Sequence, residues 1–153
     1  MKRKKGFTLI EILISTALMA IAIGGIFQVF TALMQLSETN ENLTLCNNFA
    51  QGIVNEIRNV EFEDISADYK NKKFICNDLA AKGIAHQGLI TVTDIDPGFL
   101  VRVKVIICWQ DKNRIIGEDK NLNGNLNGGE DLNGNGELDS PCSIETAIMD
   151  KSV

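Results

Sequence analysis

The chain has 153 residues, 44% of them hydrophobic and 23% charged, with only 2 Pro. That is the composition of one small folded domain rather than two domains or a disordered chain. The net charge of −5 hides a division, because Lys2, Arg3, Lys4 and Lys5 cluster at the start and leave 11 basic against 20 acidic side chains after Gly6. An acidic body argues against nucleic-acid binding, whose affinity comes from basic side chains that release counterions. His86 is the only histidine, so triads and zinc fingers are hard to assemble and the chain is expected not to be an enzyme.

After the basic cluster and Gly6, an apolar run extends from Phe7 to about Leu36, and Glu11 is its only charged residue. About twenty apolar helical residues cross a bilayer, so residues 7–36 are long enough to span one. The positive-inside rule keeps the basic cluster in the cytoplasm and places the C-terminal body across the membrane. A cleaved signal peptide is the alternative, but no small-residue cleavage boundary or polar start interrupts the run. A plain signal anchor has no use for Glu11, since an ionised group inside the apolar run costs about 2.5–3.5 kcal/mol on insertion scales. Glu11 therefore needs a partner.

The segment Lys4-Lys5-Gly6-Phe7-Thr8-Leu9-Ile10-Glu11, followed by that unbroken run, closely resembles the N-terminus of type IV pilins and the pseudopilins of type II secretion. The resemblance implies a leader of residues 1–6, cleavage by a prepilin peptidase after Gly6, and methylation of the new amino group of Phe7. It implies that the helix of residues 7–36 first anchors the subunit in the bacterial inner membrane and then packs into a filament core. It also implies that Glu11 meets the N-terminal amine of a neighbouring subunit, which would remove the cost of an unpaired charge. Residues 7–58 contain no proline, whereas major pilins often carry one in the second half of the segment. Gly24 and Gly25 stand there instead, read either as a local melting point or as a site of close packing between helices.

Leu36, Leu43, Cys46, Ala50, Ile53, Ile57 and Val60 recur at helical spacing, so residues 37–60 form an amphipathic outer helix. A helix from Phe7 to about Val60 would be roughly 80 Å long. Phe49-Ala50-Gln51 and Glu56-Ile57-Arg58 also resemble the outer helix of minor pilins and I-type pseudopilins. Residues 61–88 lose the period and read as a surface linker with short turns, with Lys70–Lys73 a solvated turn and His86 an ordinary loop residue.

Residues 89–153 are expected to form a small antiparallel sheet. Leu89 to Ile95 and Phe99 to Ile107 are two strands joined by a turn at Asp96-Pro97-Gly98, and the second carries a polar face with Arg102 and Lys104. Trp109 is core or sheet edge, Arg114-Ile115-Ile116 starts a short strand, and Ser143 to Met149 returns as the last. The fold class is thus α+β, a long N-terminal helix packed on an antiparallel sheet. An insertion at residues 118–142 precedes the last strand.

That insertion holds an ordered pattern. Asp119-x-Asn121-x-Asn123-Gly124-Asn125-Leu126-Asn127-x-x-Glu130 fits the twelve-place calcium loop, with oxygen donors at places one, three, five, seven, nine and twelve and glycine at the sixth. A second copy begins twelve residues later with Asp131, Asn133, Asn135, Gly136, Leu138 and Asp139, and resembles the calcium repeats of dockerins. Its twelfth place is Cys142, so it is weaker, completed by another residue such as Glu145, or unfilled. The alternative is a flexible Asn/Gly-rich loop. The largely neutral donor set suggests a structural calcium site with an affinity of roughly 10⁻⁴–10⁻³ M.

Cys46, Cys76, Cys108 and Cys142 lack zinc or redox spacing, and an exported domain favours disulfides. Of three connectivities, Cys46–Cys76 with Cys108–Cys142 is preferred, and free thiols remain the alternative. The function expected is that of a structural subunit of a pilus or type II secretion pseudopilus, a minor pilin or pseudopilin. Its partners would be other subunits, the peptidase and the membrane. The competing reading is a membrane-anchored, calcium-dependent adhesion module that does not polymerise.

Overall fold

The computed structural model describes residues 6–150. Lys2, Arg3, Lys4 and Lys5, and with them most of the expected leader, lie outside the described residues. The first helix, α1, is Leu9–Ile57. Then follow α2 (Phe62–Tyr69), β1 (Lys72–Phe74), α3 (Asn77–Ala81), β2 (His86–Asp96), β3 (Leu100–Asp111), β4 (Arg114–Ile116) and β5 (Cys142–Met149). The chain divides into two compact units, Met1–Asn40 and Glu41–Val153.

In the first unit the sequence favours helix throughout, because no proline interrupts it and Thr8 caps its start. The Glu11 N–H donates to Thr8 Oγ1 at 3.3 Å, and the Thr8 N–H reaches Glu11 Oε2 at a long 3.5 Å. These are the two reciprocal bonds of a capping box. Gly24 and Gly25 lie inside unbroken helix, with open space where a Cβ would stand. The most apolar stretch of α1 is long enough to cross a membrane and is wholly exposed within the chain.

In the second unit the last turns of α1 lay one face on an antiparallel sheet. Cys46, Ala50, Val54 and Ile57 are buried at spacings of four, four and three, with Leu43, Phe49 and Ile53 packed beside them. Burying a Val or Ile contributes about 1.5–3 kcal/mol, so this stripe supplies much of the docking energy. The expected stripe is shifted by one position in its middle, where Val54 is the fully buried residue. Leu36 stays exposed. The helix ends as its bonding tightens to three-residue steps, Asn59 N–H to Glu56 O at 3.0 Å and Val60 N–H to Ile57 O at 3.2 Å.

The sheet runs β1-β2-β3 in order, and both β4 and β5 pair with the far edge of β3. β4 takes its end, Trp109 to Asp111, while β5 takes Leu100 to Ile107. Strand alternation divides β3 cleanly. Val101, Val103, Val105, Ile107 and Trp109 enter the core with α1, whereas Arg102, Lys104, Ile106 and Cys108 face the other side. The β2–β3 hairpin turns at Asp96 to Phe99 as expected, with the Phe99 N–H on Asp96 O at 3.0 Å and Gly98 at φ 79°.

The expectation for residues 61–88 needs correction. Residues 61–88 are not a surface connection, since they hold two short helices and an edge strand whose Ile65, Tyr69, Cys76 and Leu79 are buried. The sheet accordingly begins at Lys72, and Phe74 lies so close over Gly88 that a Cβ there would collide with the ring. His86 opens β2, and its Nε2 accepts the Cys76 N–H at 2.9 Å. The polar face of β3 is present as expected, and it is covered. Lys104 is buried, because the 117–141 insertion folds back over it and adds a second small core of Ile106, Cys108 and Leu138.

Candidate functional site

Two places carry chemistry, and each is built from the residues that the sequence singles out. The first is the start of α1. Gly6 and Phe7 precede the helix, and Phe7 is exposed with apolar side chains of α1 following it on every face. Glu11 sits in the first helical turn, where a carboxylate complements the helix dipole. Among the described residues, its side chain accepts the Thr8 N–H at the long distance given above.

The second place is the insertion between β4 and β5. Its two twelve-residue halves fold alike, place by place. Asp119 accepts the N–H groups of Asn123 at 3.0 Å and Gly124 at 2.6 Å. Asp131 accepts those of Asn135 at 3.1 Å and Gly136 at 2.9 Å. Asn121 and Asn133 each accept the N–H two residues on, and Asn123 and Asn135 do the same. Gly124 and Gly136 stand at φ 70° and 76°, the left-handed region that favours glycine, so the sixth place needs this residue type.

The closing carboxylates show what sequence reasoning missed. Glu130 is buried, and its two oxygens accept the Lys120 N–H at 3.0 Å and the Asn127 N–H at 2.8 Å, which are places two and nine of the first loop. Glu118 is buried too. It accepts the Leu132 N–H at 3.0 Å and the Asp139 N–H at 3.1 Å, places two and nine of the second loop. The missing twelfth-place carboxylate of the second loop is thus replaced from upstream by Glu118. Neither Cys142 nor Glu145 takes the role, since Cys142 lies in the core and Glu145 stands on β5 at 3.8 Å from Arg102. The signal was present in the sequence, because Glu118 precedes Glu130 by one repeat length.

Donors converge differently in the two halves. In the second loop, Asn133 and Asn135 both point their amides at Asp139 Oδ2, each at 2.7 Å, so places three, five and nine meet at one point. Asp139 Oδ1 takes the Lys104 ammonium at 2.7 Å, and Glu137 binds Lys104 and Arg102 at 3.0 and 2.9 Å. The hydrogen bond from Lys104 and those from the two Asn amides hold the Asp139 carboxyl below the usual range despite burial. Burial opposes the Lys104 charge, yet its bonds to Asp139 and Glu137 raise its proton affinity overall. In the first loop, Lys73 clasps the outside through Asn123 O at 2.7 Å and Asn125 Oδ1 at 3.1 Å. The Asn127 and Lys120 N–H groups lower the Glu130 carboxyl, Asn127 foremost. Among the described residues, no three His, Cys, Asp or Glu side chains converge as a metal cage. The oxygen set here is chiefly Asn. Rotating an Asn amide puts Oδ1 where Nδ2 stands.

All four cysteines are free and buried. The preferred Cys108–Cys142 pairing fails on strand parity. Cys142 pairs with Ile107 and enters the core with α1, whereas Cys108, one residue on, faces the insertion.

The exposed apolar helix thus begins beside a glycine, an aromatic and a lone carboxylate. Residues 1–27 match the family model described as the prokaryotic N-terminal methylation motif, so the chain carries the N-terminus of a type IV pilin- or pseudopilin-like prepilin. The motif marks it for processing at the N-terminus and implies contact with a prepilin peptidase and with other pilin subunits. No curated protein and no solved structure matches the chain.

Proposed function

We propose that the chain is a minor pilin or pseudopilin, a structural subunit that the peptidase cleaves after Gly6 and that enters a pilus or type II secretion pseudopilus. The observation that carries this reading is the exposed, largely apolar first part of α1 with Glu11 in its first turn. In the inner membrane that surface is solvated by lipid, and in a filament it is covered by the same helix of other subunits. Cleavage places the cationic amine of Phe7 at the depth of Glu11. The pair between one subunit's amine and its neighbour's carboxylate would select the axial register, because an unpaired charge in apolar surroundings is costly. Glu11→Ala tests this directly. It should leave the membrane level of the protein unchanged and remove it from sheared filaments; undiminished incorporation would refute the Glu11 pairing, and absence of the unaltered protein from filaments would favour the non-polymerising adhesion module.

The insertion is proposed to hold calcium in a structural role. Asp119, Asn121, Asn123, the Asn125 carbonyl, Asn127 and Glu130 would form the first site. Asp131, Asn133, Asn135 and Asp139 would form the second, with Glu118 closing it. The ion would order a loop whose Gly and Asn content makes it costly to fix by chain alone. The parallel hydrogen-bond pattern of the two halves supports the reading. Calcium titration should raise the unfolding temperature, and Asp119→Ala with Glu130→Ala should remove the first site's share of that rise. An unchanged rise in the double variant would remove the first site from the proposal.

A further inference from the structure

Three of the four thiols share one place in the fold. Cys46 on α1, Cys76 just ahead of α3 and Cys142 at the start of β5 all belong to the core between helix and sheet, each with no exposed surface. Cys108 lies alone in the small core on the opposite face. Within the three, Cys142 is the neighbour that most strongly raises the Cys46 thiol, whereas the Cys76 thiol is raised chiefly by its own burial.

We propose that Cys46 and Cys142 form a disulfide when the chain folds in an oxidising compartment, stapling the outer helix to the last strand and leaving Cys76 and Cys108 as thiols. The compartment follows from the export reading above; the choice of partners does not, and rests on helix position, strand parity and contact. Cys142 faces α1 because its cross-strand partner Ile107 does, and Cys46 is part of the stripe that α1 lays on that face. The same parity keeps Cys108 out of reach.

In the step itself two S–H bonds break and one S–S bond forms. The S–S bond of the oxidant breaks, and the two protons end on its two sulfurs as thiols. The two electrons reduce a disulfide of the thiol–disulfide exchange class, passing through a mixed disulfide with one of the two cysteines. The neighbouring Cys142 thiol, foremost, and burial push the Cys46 thiol far up. A thiolate is the attacking species, so the reaction belongs to the folding chain before α1 docks, and the finished bond is shielded afterwards. It would make covalent one contact between the outer helix and the last strand.

Trypsin puts each cysteine on its own peptide, so the pairing can be read directly. The full chain in detergent is equilibrated in a buffer of reduced and oxidised glutathione, unfolded, alkylated without reduction and digested. The expected result is one linked pair, Cys46 with Cys142, with Cys76 and Cys108 alkylated. The Cys76→Ser, Cys108→Ser double variant should keep the link, and Cys142→Ser should lose it. A Cys46–Cys76 or Cys108–Cys142 link, or four alkylated thiols, would overturn the proposal. The same digest on protein taken from cell membranes tests the export reading separately. Reduced thiols there, with the link forming in glutathione, would refute export and uphold the pairing.

Discussion

Removing the Glu118 carboxylate should unlatch the second Asn-Gly loop. The side chain is buried and accepts two backbone N–H bonds, at 3.0 Å from Leu132 and 3.1 Å from Asp139. A hydrogen bond to a charged group is worth about 1.5–3 kcal/mol, so the pair sums to about 3–6 kcal/mol before relaxation. Leu132 is 71% exposed, and water can reach its N–H once the loop moves. Glu118→Ala should therefore cost near the lower bound, about 3 kcal/mol. The only tryptophan, Trp109, is fully buried in the main core and reports unfolding of the second unit by fluorescence. With a urea slope of about 1.5 kcal/mol per molar, the midpoint should fall by about 2 M. Glu145→Ala removes a carboxylate 3.8 Å from Arg102 that is half exposed, and should shift it by less than about 0.4 M. A Glu118→Ala midpoint no lower than that of Glu145→Ala would refute the assignment of Glu118 as the latch.

Lys104→Met should destabilise the same unit by about 2 kcal/mol, less than the 3–5 typical of a broken buried pair because Asp139 and Glu137 are about one-third exposed. The same urea assay reads it. Gly124→Ala forces a Cβ into φ 70° and should cost about 1–2 kcal/mol, measured alike, with a larger loss in calcium than in chelator. Acid should loosen the insertion. Asp139 and Glu130 have depressed carboxyls in the fold, so their stabilisation is full above the unfolded value near pH 4 and vanishes as pH falls through the folded values. A urea midpoint that is flat from pH 5 to pH 2 would contradict this.

What could be read from sequence was whatever a single local constraint imposes. The bilayer dictates an apolar run, so residues 7–36 announced themselves, and Glu11 stood out against it. β-Branched alternation marked β2 and β3, and the fixed twelve-place spacing marked both loops. The short elements α2, β1 and α3 carry no such signature, since Ile65, Tyr69 and Leu79 become a buried face only against the core they help complete. Lys104 reads as a surface residue until Glu137 and Asp139, more than thirty positions away, are brought over it. The cysteine pairing turns on which face each strand residue takes, and that register is fixed by Ile107 opposite Cys142 rather than by spacing along the chain. The role of Glu118 was legible in principle, one repeat length before Glu130, but only to a search that extended the repeat upstream.

The subunit reading stands most directly on the mature N-terminus. Intact-mass and N-terminal peptide spectrometry of protein extracted from membranes of a prepilin-peptidase-positive bacterium should show a chain that begins at Phe7 and carries one methyl group on its amine. A chain that still begins at Met1, in cells whose other prepilins are cleaved, would contradict it.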